Sequence, residues 1–226
     1  FFKQKTAYEI STRDWSSDVC SSDLASELLA DLGPEAVRIQ AKTFERLCTG
    51  QILESIGPSE DPLAHYLKVV SDKTGSLIAT SAQFGAMLSG ASASEIAQVT
   101  EFAEKIGIAF QLADDVIDIA SDSGVSGKTP GTDLREGVST LVTLHVMAST
   151  DPADDELKQI LSQPIQDDKL LEQTLGRLRT HPAMAAARNQ LHEISRSAKL
   201  DLNALPNSAV SQALASLCDA IIERSA

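Results

Sequence analysis

From Ala25 to Ala226 the apolar residues recur at helical spacing, and no segment of useful length alternates with the period of two that a half-buried strand requires. A chain patterned this way can build a core only by packing helix on helix, so the expected fold class is all-α. Proline and glycine divide the pattern. "PEAVRIQAKTFERLCTGQILESIG" opens with Pro34 near a helix start and closes at Gly57–Pro58. "DPLAHYLKVVSDKTGSLIATSAQFGAMLSG" carries Leu63, Leu67 and Val70 on one face, then runs from Thr74 to Ser94 without a charge. That run is long enough to cross a bilayer, but Ser, Gly, Thr and Ala crowd it. A buried helix packed closely through small residues is expected, and no transmembrane segment. Ser92 followed by Glu95 is a capping-box pattern, and the helix it opens is predicted to run to about Ala120. After the loop Ser121–Ser139 come amphipathic segments separated by Pro152, Pro164, Pro182 and Pro206. There is no internal repeat.

With 42% hydrophobic and 4% aromatic residues in 226, the chain can bury one real core. The net charge of −13 argues against a nucleic-acid partner and leaves anionic ligands to local lysines or bound cations. Cys20, Cys48 and Cys218 form no C-x-x-C pair and are odd in number, which fits a reduced, cytoplasmic setting. His65, His145, His181 and His192 have no metal-ligand spacing. The opening "FFKQKTAYEISTRDWSSDVCSSDL" lacks Met, a signal-peptide core and a helical period. It closely resembles a translated sequencing-adapter peptide. Residues 1–24 are therefore read as a foreign or disordered leader, and 25–226 as the C-terminal part of a longer domain.

One helix concentrates charge where charge is least welcome. In "FQLADDVIDIA", Gln111, Asp114, Asp115 and Asp118 are spaced i, i+3, i+4, i+7 and form one stripe near the helix C-terminus. Like charges at these spacings repel by roughly 0.2–0.5 kcal/mol per pair, and the helix dipole opposes anions there. Two readings stay open from spacing alone: a solvated polar face, or an oxygen-only cation site. Lysine is absent from 111–118, and oxygen ligands without His or Cys suit Mg²⁺. The following loop, with Gly124, Gly127, Lys128 and Gly131, adds a backbone free to approach a ligand and a cation beside it. "GKT" at 127–129 is not a P-loop, because Asp122 stands where glycine is required and a helix precedes it. An EF-hand fails on ligand spacing. "DPADDELKQ" at 151–159 reads as a helix N-terminus.

Four motifs, in order, resemble the trans-isoprenyl diphosphate synthases, the polyprenyl synthetases: "TGQILE" at 49–54, "DKTGSL" at 72–77, "FQLADDVIDI" followed by "GKTPGTDLREG", and the closing "ALASLCDAIIERSA". The resemblance covers about Ala25 to Ala226. It implies an isoprenoid-synthase-type helical bundle whose N-terminal helices, with the first aspartate-rich motif, lie upstream of residue 25. It also implies Mg²⁺-dependent condensation of isopentenyl diphosphate with an allylic prenyl diphosphate, commonly by a homodimer. Carried over by position, Asp114 becomes the leading metal ligand, with Asp118 and Asp115 as further ligands or support. Lys73 and Lys128 would contact the allylic diphosphate. Thr74 and Gln111 would line the reacting centre. Taken singly, Lys73 reads as a surface lysine ending a helix, Thr74 as a cap, and Gln111 and Gln51 as core amides. Where the family often has EGKxTLP, Val138 and Val142 replace the lysine and the proline, removing one expected diphosphate contact. Two other readings remain. A non-catalytic helical subunit would have no need of intact "DDVID" and Lys128. A class I terpene cyclase would carry a different second metal motif. With only one side of the metal clamp present, the 226 residues alone are expected to be inactive.

Overall fold

Cap residues start the helices as their chemistry dictates. The computed structural model describes residues 24–58, 61–121 and 130–224. Apart from Leu24, the leader therefore lies outside the described residues, as do Gly124, Gly127 and Lys128. The chain divides into two compact units, Phe1–Glu45 and Arg46–Ala226, with the boundary inside one helix. In the first unit, α1 (24–30) is followed by Gly33 at φ 96° and the opening of α2 (Pro34–Ile56).

The second unit continues α2 and adds the other helices. α3 (Pro62–Val70) starts at Asp61, whose carboxylate accepts from the N–H groups of Leu63 at 3.0 Å and Ala64 at 3.2 Å. α5 (Ala93–Ala120) starts with the expected capping box: Ser92 N–H donates to Glu95 at 2.8 Å, and Glu95 N–H to Ser92 Oγ at 3.3 Å. Among the described residues every regular element is helical. None is long and apolar enough to cross a membrane.

α5 is the axis of this unit. α4 (Ser76–Leu88), α7 (Leu141–Met147), α9 (Asp168–Thr180), α10 (Pro182–Asp201) and α11 (Ala209–Arg224) all pack on it. Ala109, Leu112, Ala113 and Val116 are wholly buried. Burial on several sides explains why α5 lacks a single apolar stripe. Its C-terminal carbonyls are satisfied from afar: Arg179 donates to Ile119 O at 2.9 Å and Ser121 O at 2.6 Å.

Two expectations need correction. The uncharged run expected to form a buried helix is entered through a π-helical turn, Ser71–Gly75, and in the helix that follows, α4, only Ser76 and Ala79 are buried. The predicted loop Ser121–Ser139 also holds a short helix, α6 (Thr132–Glu136), bracketed by Gly131 and Gly137 at φ 74° and 71°. Further on, "DPADDELKQ" does form a helix start: Asp151 caps a 3₁₀ turn, Pro152–Asp154, that leads into α8 (Asp155–Leu161).

Candidate active site

The π turn has a built foundation. Asp72 is fully buried, and its carboxylate accepts from Arg46 Nε at 3.0 Å and Lys68 Nζ at 2.5 Å. Arg46 also donates to Glu104 at 2.5 Å and to Ser71 Oγ at 2.9 Å, while Ser71 Oγ donates to Glu104 at 2.7 Å. The guanidinium of Arg46 holds the Glu104 carboxyl below the usual carboxylate range, against the opposing effect of burial. Backbone contact completes the support. A Cβ on Gly107 would lie 2.8 Å from Gly75 Cα and 3.2 Å from Thr74 O, so only glycine lets α5 approach the turn this closely. Sequence reasoning missed Arg46, Asp72 and Glu104, because their pairing spans 26 to 58 residues with no local signal.

The turn presents Lys73 and Thr74 to different partners. Lys73 Nζ reaches Glu54 at 2.7 Å, and its stem lies against Gly50, where a Cβ would sit 2.9 Å from Lys73 Cγ. "TGQILE" and "DKTGSL" thus meet in space. Gln51 is exposed and bonds to Glu54 at 3.0 Å, so it is not a core amide. Thr74 Oγ1 donates to Gln111 Oε1 at 3.3 Å, joining the turn to the aspartate stripe.

Among the described residues, the three aspartates of the stripe meet different donors. Asp114 is paired with Arg224 at the end of α11, and the Arg224 guanidinium also lies over the Phe110 ring, 4.7 Å from its centroid. Asp115 is buried at 4% exposure, and burial pushes its carboxyl up to about 6. It accepts from Tyr66 O–H, from Gln111 Nε2 at 3.2 Å and from Leu141 N–H at 3.1 Å. Asp118 accepts from the backbone N–H groups of Thr132 at 3.2 Å and Asp133 at 3.3 Å, at the start of α6. Of the family-pattern departures, Val142 is a wholly buried core residue. Lys128 lies outside the described residues.

The donor set decides which metal arrangement fits. Among the described residues no group of three or more His, Cys, Asp or Glu is placed to hold an ion. Among the described residues, side chains of these four types therefore do not complete a cation's shell by themselves. A Mg²⁺ that takes one or two carboxylates and completes its shell with water and phosphate oxygens does fit, at Asp114 with its side chain 26% exposed.

Residues 16–178 match the family described as polyprenyl synthetase, a match that begins upstream of the boundary expected at Ala25. The chain is 45% identical over 202 residues to the nonaprenyl diphosphate synthase of Mycobacterium tuberculosis, covering 88% of this chain and 60% of that protein. It is 39% identical over 197 residues to the dimethylallyltranstransferase of the same organism, covering 86% and 59%. Its fold superposes on the geranylgeranyl pyrophosphate synthase of Corynebacterium glutamicum, solved with calcium and isoprenyl diphosphate. That match has a TM-score of 0.82 at 38% identity and covers 89% of this chain and 63% of the other. The chain thus spans about three fifths of the length of the curated relatives it matches.

Proposed function

Because the chain belongs to the polyprenyl synthetase family, we propose that it is the part of a trans-polyprenyl diphosphate synthase that binds and ionises the allylic diphosphate. The observation that carries this reading is the 3.3 Å hydrogen bond between Thr74 and Gln111, which joins two motifs 37 residues apart at one place. The substrates are isopentenyl diphosphate and an allylic prenyl diphosphate, and the working enzyme is a cytoplasmic homodimer. Asp114, with Asp118, would hold Mg²⁺, which supplies the positive charge against which a diphosphate leaves. Lys73 gives up Glu54 to contact the diphosphate, and Lys128 contacts it from the loop. Thr74 and Gln111 turn polar oxygens toward the carbon that becomes cationic, where fixed dipoles stabilise developing charge. The proton lost at the end passes to a diphosphate oxygen. The helical walls exclude water from the cation.

Binding tests this part of the reaction directly. Titration calorimetry of the 226-residue chain with farnesyl diphosphate should show binding with Mg²⁺ and none with EDTA. Asp114→Ala should weaken it at least about tenfold. Equal affinity with and without Mg²⁺ would overturn the proposal. The same chain, given isopentenyl diphosphate as well, is expected to bind without elongating.

A further inference from the structure

We propose that Tyr66 and Asp115 are positioning residues that fix which way the Gln111 side-chain amide points, and that Asp115 serves this purpose instead of binding metal. The inference rests on the reading of Thr74 and Gln111 as the reacting-centre pair. Both Asp115 oxygens are already used. Oδ1 accepts from Gln111 Nε2 at 3.2 Å, and Oδ2 accepts from Tyr66 O–H and from Leu141 N–H at 3.1 Å. With 4% of the residue exposed, a cation could reach this carboxylate only by breaking donors that compensate its burial.

The consequence concerns direction. A glutamine amide is nearly symmetric in shape, so its neighbours decide which end carries the oxygen. With Oδ2 of Asp115 held by Tyr66 and Leu141, Oδ1 is left to accept from the NH₂ group of Gln111 at 3.2 Å, which turns that group toward Asp115. The carbonyl oxygen must then face Thr74, whose hydroxyl donates to it at 3.3 Å. A flipped amide would instead turn N–H donors toward the reacting carbon and repel positive charge there. Tyr66 sets this choice from α3, 49 residues away from Asp115, by locking the carboxylate in place.

The side-chain amide of Gln111 reports the device without any turnover. In the ¹⁵N-labelled chain its NH₂ signals, assigned by their loss in Gln111→Met, should exchange slowly with solvent. Tyr66→Phe should speed that exchange at least about fivefold, measured against global stability from urea melts. Thr74→Val, which cuts only the outer bond, should leave it within about twofold. Unchanged exchange in Tyr66→Phe, or equal acceleration in Thr74→Val, overturns the proposal. If Tyr66→Phe does not fold, Thr74→Val decides alone: retained protection supports the device and lost protection refutes it. Failure of the underlying function would look different. Adding the wild-type chain would leave the ³¹P signal of inorganic diphosphate in Mg²⁺ buffer unshifted and unbroadened, while the Gln111 amide still responded to Tyr66.

Discussion

At the residue scale, Glu104 shows how a partly exposed charge can steady a special backbone. Its carboxylate takes donors from Arg46 and Ser71, and Ser71 opens the π turn that carries Lys73 and Thr74. Arg46 keeps the Glu104 carboxyl ionised below its ordinary value of 4.5. The native state then binds fewer protons than the unfolded chain as the solution is acidified, so stability falls with pH in that window. The contribution is fully present above pH 4.5 and is lost as pH drops through the lower folded value. Glu104→Gln removes it at every pH. Urea melts should therefore show the wild-type chain more stable than Glu104→Gln at pH 7, with the gap narrowing below pH 4.5. A gap independent of pH would mean that the pair contributes packing and no charge.

At the element scale, the junction of α5 with the π turn rests on one missing side chain. Gly107→Ala would place a methyl 2.8 Å from Gly75 Cα, and backbone cannot yield as a flexible side chain can. The expected cost is about 1–3 kcal/mol, with the turn displaced and the Thr74–Gln111 bond weakened. Denaturant melts together with backbone amide shifts at Lys73 and Thr74 check both effects. Stability unchanged from wild type would show that the helices separate without cost. This junction also marks where sequence reasoning ran out. Ser92 with Glu95, and Pro34 with Gly57, carry local signals, because a cap acts within one turn of its own helix. The clustering of Asp114, Asp115 and Asp118 was equally plain from helical spacing. The π turn was not, because an extra residue in a helical turn leaves the apolar pattern on either side intact. Arg179 on the α5 terminus and Tyr66 on Asp115 were illegible for another reason: each joins segments 49 to 60 residues apart.

At the scale of the whole molecule, a net charge of −13 should gather divalent cations and repel diphosphate. Salt limits that influence, since the Debye length is about 8 Å at physiological ionic strength. Individual contacts must then decide whether a cation reaches Asp114. The contact that matters comes from the far end of the chain. Arg224, in the last turn of α11, pairs with Asp114 across 110 residues and braces itself on Phe110. A metal ion at that carboxylate and the guanidinium compete for the same oxygens. Removing the guanidinium should therefore strengthen metal binding, whereas removing a structural ion pair would only weaken the fold. Arg224→Gln is expected to tighten Mn²⁺, measured by loss of its free EPR signal, by about tenfold, equivalent to about 1.4 kcal/mol. Arg224→Lys should fall between the two, because a lysine keeps the charge but loses the planar fork that grips a carboxylate. Adding Asp114→Asn to Arg224→Gln should abolish the gain. If Arg224→Gln binds Mn²⁺ no better than wild type, Asp114 is not where the ion sits, and the closing helix guards nothing.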